Sequence, residues 1–270
     1  MRLEGSHHSQ PRKAEVGHGS RRRSNIERIP RRNQHHFDGL GFQWQEMIVV
    51  RNGCYTAFTM FPDTQSLIDA AESLCSTARW CYTQGWVPAT SGNFSVRDRQ
   101  SGRIFVTASG LDKGTLTPAG LIEIDLEGRV VGGEGRPSAE TGLHLVLYKA
   151  RPTAGAILHV HTVWNTLLSG IHEGARHVAI GGYELLKGLS GVDTHVHVEQ
   201  VPILKNSQNY AELTAQLAGA LTDYPEAHGV LLSRHGLYTW GESVAEARRH
   251  LEALEFLFEV EARRALGGQG

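Results

Sequence analysis

From Asp63 onward the sequence predicts a single α/β domain in which a mainly antiparallel sheet is flanked by helices. Three observations predict it. Apolar residues recur at three- and four-residue steps in some segments and alternate with polar ones in others, so helices and strands interleave. Successive alternating runs are separated by short Gly-containing turns, which join antiparallel neighbours. No segment repeats.

The elements follow in order. Leu67, Ile68, Ala71, Leu74, Cys75, Ala78 and Tyr82 place an amphipathic helix over 64–84, with Asp63 or Thr64 as its N-cap. Strands over 93–96 and 103–106 flank Ser101-Gly102, and a strand over 121–126 ends at Glu127-Gly128. Ser138, after Pro137, is expected to cap a helix that ends at Arg151-Pro152. A strand (156–161), a helix (163–169), a strand near 177–180 and a short helix from Tyr183 come next. A strand around 195–203, a helix around 208–222, two strands (228–233, 237–240) and a helix (243–264) complete the chain.

The charges balance at 27 Lys+Arg against 28 Asp+Glu, but they are unevenly placed. Residues 1–62 hold ten basic and five acidic side chains, while 63–270 hold seventeen and twenty-three, so a head of +5 precedes a body of −6. The head shows no sustained period, and Ser20-Arg21-Arg22-Arg23 through Arg31-Arg32 is a solvated basic cluster. It is expected to be a disordered extension, or a stretch upstream of a true start at an internal methionine such as Met60. No nucleic-acid motif or interleaved aromatic array accompanies its charge, so no nucleic-acid partner is expected.

With no run of eighteen apolar residues and no apolar signal core, the chain is expected to avoid membranes and to be cytoplasmic. Cys54, Cys75 and Cys81 form no CxxC pair, so they suggest neither a disulfide framework nor a cysteine zinc site.

Ala156-Ile157-Leu158-His159-Val160-His161 is the most informative segment. Strand side chains alternate, so His159 and His161 share a face about 6.5 Å apart, a span that two imidazoles can close onto one cation. Thr194-His195-Val196-His197 offers a second pair at the same spacing. The first pair ends an apolar strand at a helix start, where side chains enter a cleft, and it is the better candidate. His235, beside Gly236 at the end of Val230-Leu231-Leu232, is the best third ligand. His144, set among helix leucines, is expected to be a satisfied core residue.

Small-residue loops form a second group. Thr90-Ser91-Gly92-Asn93 and Thr107-Ala108-Ser109-Gly110 combine hydroxyls with a glycine, and Pro137-Ser138 opens a helix whose free N–H groups favour an anion. Together they suggest a phosphate cradle, with Lys113 as counter-charge.

Taken in order, Ser91-Gly92-Asn93, Thr107-Ala108-Ser109-Gly110, Pro137-Ser138-Ala139-Glu140, His159-Val160-His161 and His235-Gly236 resemble the class II aldolase/adducin family from about residue 65 to 265. Tyr183 to Gly188, Val201 to Asn206 and Arg234 to Glu242 favour its dehydratase branch, which acts in methionine salvage, over its aldolases. The resemblance implies a three-layer fold and a catalytic domain over 63–270. It implies one divalent metal per subunit, usually zinc, on His159, His161 and His235, with Glu184 as acid/base. It also implies a homo-oligomer, typically a tetramer with sites near subunit boundaries. Glu140 stands where the aldolases place a ligand and base; here it could bind the metal, touch the substrate or favour the helix N-terminus.

The implied reaction takes a proton from the carbon beside the ketone of a methylthio ketose phosphate and hydroxide from the next carbon. A Lewis acid on the ketone oxygen stabilises the charge that develops. Glu184 would move the proton, its pKa raised toward neutrality in a partly desolvated pocket. Ser91, Gly92, Asn93, Ser109, Gly110 and Ser138 would hold the phosphate. Two other outcomes stay open: an aldolase or epimerase on the same fold, and a non-catalytic adducin-like binding protein.

Overall fold

The computed structural model describes Met47–Arg51, Cys54–Phe58 and residues 62–267. The expectation for 1–62 therefore falls mostly outside the described residues. Within that stretch β1 (Met47–Arg51) pairs antiparallel with β2 (Cys54–Phe58), Arg51 opposite Cys54. Only two residues, 52 and 53, separate them along the chain. Neither strand is expected from the sequence, where residues 1–62 show no sustained period.

The remaining strands form one nine-stranded sheet. They are β3 (Asn93–Arg97), β4 (Ile104–Thr107), β5 (Leu121–Ile124), β6 (Val130–Gly132), β7 (Ala156–Val160), β8 (His177–Gly181), β9 (Val198–Leu204), β10 (Gly229–Leu232) and β11 (Gly236–Gly241). Their order across the sheet is β6-β5-β4-β3-β7-β11-β10-β9-β8. Every pairing is antiparallel except β9 with β10, so the expected sheet type is observed.

Helices α1 (Pro62–Thr83), α2 (Thr141–Ala150), α3 (Val163–Ile171), α4 (Tyr210–Asp223) and α5 (Val244–Gly267) complete three layers. One face of the sheet packs Phe94, Leu158 and Val160 against Leu74 and Ala78 of α1, Leu168 of α3 and Leu254 and Phe258 of α5. The other packs Val106, Ile157 and Val230 against Leu143 and Leu147 of α2 and Leu213 and Leu217 of α4. Leu158 and Ile157 lie in different cores because a strand turns successive side chains to opposite faces. The face that holds Ile157 therefore also receives His159. Cys75 and Cys81 are buried free thiols, pushed up to about 12 by burial, in keeping with a core role. No helix among the described residues is long and apolar enough to cross a membrane.

Three local expectations need correction. Helix α1 begins at Pro62, ahead of the expected cap. Ser138 does not cap α2: the N-cap is Glu140, and the Ser138 hydroxyl accepts from the Glu140 N–H at 3.3 Å in a bend before the helix. The strand expected from 195 starts at Val198, because Thr194 makes a turn in which its Oγ1 accepts from the Val196 N–H. The second histidine pair is thus not on a strand, and the common face argued for it is lost.

A buried carboxyl anchors the chain just after His161. Thr162 and Asn165 form a reciprocal capping box at the start of α3, and both side chains donate to Glu255 of α5, at 2.6 and 2.8 Å. Burial, with a smaller contribution from Glu259, pushes the Glu255 carboxyl from 4.5 up to about 7. The folded state then keeps a proton that the unfolded chain releases. This stabilisation is whole below about pH 4.5 and is lost as pH rises through 7, a change of up to about 3 kcal/mol. We expect Glu255→Gln, a neutral side chain of similar shape that does not ionise, to remove that fall in unfolding free energy. Urea titrations across this range check it, and an unaltered slope would show that Glu255 is ionised in the folded protein.

Candidate metal centre

Strand β7 lies between β3 and β11, and the register sets Asn93, His159 and Tyr238 side by side across the three strands. All three are buried, so each polar group needs a partner. His159 Nδ1 faces the Leu237 carbonyl at 3.0 Å, which makes it the donor and leaves Nε2 without a proton. The Tyr238 ring stacks on the imidazole with centroids 3.9 Å apart, and the Tyr238 hydroxyl donates to Glu140 Oε2 at 3.2 Å. His161 lies one residue past β7 and still turns to the same side, with its Nε2 2.8 Å from His159 Nε2.

His235, in the connection between β10 and β11, closes the group. Its Nδ1 donates to Asn206 Oδ1 at 3.3 Å, which directs Nε2 inward. Glu140 Oε1 lies 3.2 Å from His235 Nε2, and Oε2 lies 3.3 Å from His159 Nε2. Gly236 makes this approach possible. A Cβ there would lie 2.4 Å from the Val160 carbonyl oxygen and 2.8 Å from His159 Cε1.

The four side chains fit a divalent cation. One ligand atom from each of Glu140, His159, His161 and His235 falls within 4.8 Å of every other. Tetrahedral ligands about 2.0–2.1 Å from zinc would lie roughly 3.3 Å apart, close to the contacts observed. Burial, then the neighbouring histidines, holds His159 well below the usual imidazole range. Burial, His235 and Lys113 lower His161 to about 4. Both rings are therefore neutral at ordinary pH, the form that binds metal. Three nitrogens and one carboxylate oxygen suit zinc, cobalt, nickel or iron(II). Glu140 is the N-cap of α2 but makes no side-chain cap bond, and its two oxygens face His235 and His159.

Beside this group is a cavity of about 150 Å³. Ser91, Gly92, Asn93, Ser109, Gly110, Lys113, Ser138 and Glu140 all reach its wall, as does His161. Lys113 is only 2% exposed, and its ammonium donates to the Thr90 and Leu111 carbonyls, both at 2.9 Å. Burial lowers its pKa. The buried Ser91 hydroxyl has no protein partner. Gly92 has φ +73°, and a Cβ there would meet the His159 carbonyl oxygen at 2.7 Å. The preceding Ala89 and Thr90 also have positive φ, 53° and 61°, so the loop is held in a strained form where it meets the cavity. Asn93 directs its amide to Glu140 and His144.

Glu184 is not brought to this group. It begins a short 3-10 helix (Glu184–Gly188), its side chain is 71% exposed, and it pairs with Lys187 and, at 3.8 Å, with His195. The Lys187 ammonium holds its carboxyl below the usual range, so the expected desolvation and raised pKa are not found within one chain. His197 bonds instead to buried Glu199 at 3.0 Å. Sequence reasoning missed what Asn206 and Tyr238 do, because their partners are set by strand pairing and not by spacing along the chain.

The approach at Gly236 can be tested. Gly236→Ala should push the β10–β11 connection off β7, lowering stability by about 1–3 kcal/mol and weakening metal binding. Thermal unfolding with and without chelator checks both effects, and unchanged metal affinity would show that the histidines tolerate the displacement.

Comparison with known proteins places this geometry. Residues 72–262 match the model of the class II aldolase and adducin N-terminal domain. A methylthioribulose-1-phosphate dehydratase of Methylococcus capsulatus is 45% identical over 201 residues, which are 74% of this chain and 96% of the relative. The protein of that name from Stenotrophomonas maltophilia is 44% identical over 214 residues, 77% of this chain and 99% of the relative. Among solved structures, L-fuculose-1-phosphate aldolase from Thermus thermophilus superposes with a TM-score of 0.59 at 27% identity, covering 76% of this chain and 97% of its own. The shared sheet, the clustered histidines and these similarities agree, and the chain belongs to the class II aldolase and adducin family.

Proposed function

We propose that this chain is a lyase of methionine salvage, a cytoplasmic methylthioribulose-1-phosphate dehydratase. It would convert 5-methylthioribulose 1-phosphate to 2,3-diketo-5-methylthiopentyl 1-phosphate and water. One observation carries the reading: a group of three histidines and a glutamate opens beside a small cavity walled by hydroxyls, glycines and a buried lysine. The relatives' names select the dehydration. We assign zinc as the metal, one ion per subunit, and residues 63–270 as the catalytic unit, with the basic head as an appendage.

A cation held by His159, His161, His235 and Glu140 supplies a Lewis acid for the charge that develops on the substrate's ketone oxygen. Lys113 and the hydroxyls of Ser91, Ser109 and Ser138 bind the phosphate, with Gly92 and Gly110 allowing close backbone approach. In an acidic body this anion is held by local donors and not by a broad field. Asn93 keeps Glu140 in place. Glu184 takes the proton from the carbon beside the ketone and returns it to the departing hydroxyl, so that water leaves.

Because Glu184 is exposed and absent from the wall of its own chain's cavity, it would act on the site of a neighbouring subunit in a homotetramer. Docking would strip water from the carboxylate and raise its pKa toward the working range.

Glu184→Gln should keep its metal and lose about 10²–10⁴ in kcat, whereas His159→Ala should lose metal and activity together. Mixing the two inactive variants and letting subunits exchange should restore part of the activity, since some sites then combine intact histidines with an intact Glu184. Wild-type turnover by Glu184→Gln would remove it from the mechanism, and lack of recovery would place it in its own chain's site. Release of glycolaldehyde or dihydroxyacetone phosphate, in place of a diketone, would identify an aldolase.

A further inference from the structure

Behind Glu140 a row of buried polar groups runs along the seam between β3 and α2. Tyr148 OH lies 2.9 Å from Ser95 Oγ, Ser95 Oγ lies 2.7 Å from His144 Nδ1, His144 Nε2 lies 2.5 Å from Asn93 Oδ1, and Asn93 Nδ2 lies 2.9 Å from Glu140 Oε2. The spacing follows from secondary structure. Glu140, His144 and Tyr148 are four residues apart, about 6 Å per step along a helix, and Asn93 and Ser95 are two apart, about 6.6 Å along a strand. Helix and strand therefore present their groups in step.

The row has a direction that can be worked out. A ligand carboxylate only accepts, so the Asn93 amide must turn its Nδ2 toward Glu140 and its Oδ1 toward His144. His144 must then donate from Nε2. Complete burial keeps the ring neutral with a single N–H, so Nδ1 accepts and the Ser95 hydroxyl donates to it. Tyr148 in turn donates to Ser95. An amide does not readily pass a proton along, so Asn93 makes this a device for orientation and not a proton path. Its effect falls on one oxygen: Oε2 of Glu140 receives both the Asn93 and Tyr238 donors, which leaves Oε1 facing His235.

We propose that His144, Ser95 and Tyr148 are positioning residues that hold the Asn93 amide in one orientation and thereby present Glu140 to the metal through Oε1. The proposal rests on the metal centre assigned above. It gives His144, otherwise an ordinary core histidine, a part in metal affinity without contact to the metal.

The test measures zinc affinity by chelator competition and the visible absorption of the cobalt(II)-substituted protein, for the wild type and for His144→Leu, His144→Gln, Ser95→Ala and Tyr148→Phe. His144→Leu should bind zinc roughly 10–100-fold more weakly and alter the cobalt spectrum. His144→Gln, whose amide can accept from Ser95 and donate to Asn93, should recover most of the affinity. The loss should shrink from His144→Leu through Ser95→Ala to Tyr148→Phe, following distance from Glu140. A folded His144→Leu with wild-type affinity and spectrum would overturn the proposal, as would a His144→Gln as impaired as His144→Leu. Should His144→Leu fail to fold, Ser95→Ala removes a single oxygen and decides the matter, since wild-type affinity there refutes the directed row. A wild-type protein that binds no metal would overturn the centre itself, and this proposal with it.

Discussion

The pairing of β7 with β3 on one side and β11 on the other is the constraint on which the rest of the site depends. It carries Asn93, His159 and Tyr238 into a single row in the middle of a nine-stranded sheet, where all three are buried. Polar groups so placed are costly unless every donor and acceptor is matched. They are matched here by the Leu237 carbonyl, by Glu140 and by His144, so the same contacts that make burial tolerable also aim the His159 Nε2. Satisfying the core and orienting the clustered histidines are one arrangement.

Strain collects at the rim. Ala89 and Thr90 precede the Ser91-Gly92 turn with positive φ, and Arg234, directly before His235, has φ 54°. Each is held by regular structure close by. The Arg234 N–H donates to Ser169 Oγ of α3 at 2.9 Å, and the His161 N–H donates to the Trp86 carbonyl at 2.9 Å. Backbone in such conformations persists only where neighbours over-determine it. Here the neighbours are the strands and helices that hold the histidine cluster, and the strained loops bring backbone and hydroxyls to the cavity.

Charge is arranged on the same small scale. Lys113 is buried among backbone carbonyls beside the cavity, and its field falls on His161. A cation placed there favours an anion nearby and disfavours protonation of His161. A second polar cluster, in which buried Glu199 accepts from His197, the His228 ring and the His228 N–H, ties β9 to the turn before β10 and has no part in the centre.

Much of this was legible along the chain. Helix and strand periods located α1 to α5 and every strand of the large sheet except β6, with small shifts at their ends, because burial of one face writes itself into residue order; the exposed Val130-Val131 of β6 carries no such pattern. The alternation in His159-Val160-His161 determined that two imidazoles share a side, and the hydroxyl-glycine loops marked the cavity wall before any wall was known. Tertiary structure decided what spacing could not. Two histidine pairs of equal spacing parted because Thr194 turns the chain before one, whereas the other has His159 in β7 and His161 one residue past its end. Glu140, open among three roles, lies beside the histidines because Asn93 of β3 and Tyr238 of β11 hold its carboxylate there, and Glu184 is exposed on its own chain. Local sequence determines which way a side chain leaves the backbone; only long-range packing determines what it meets there.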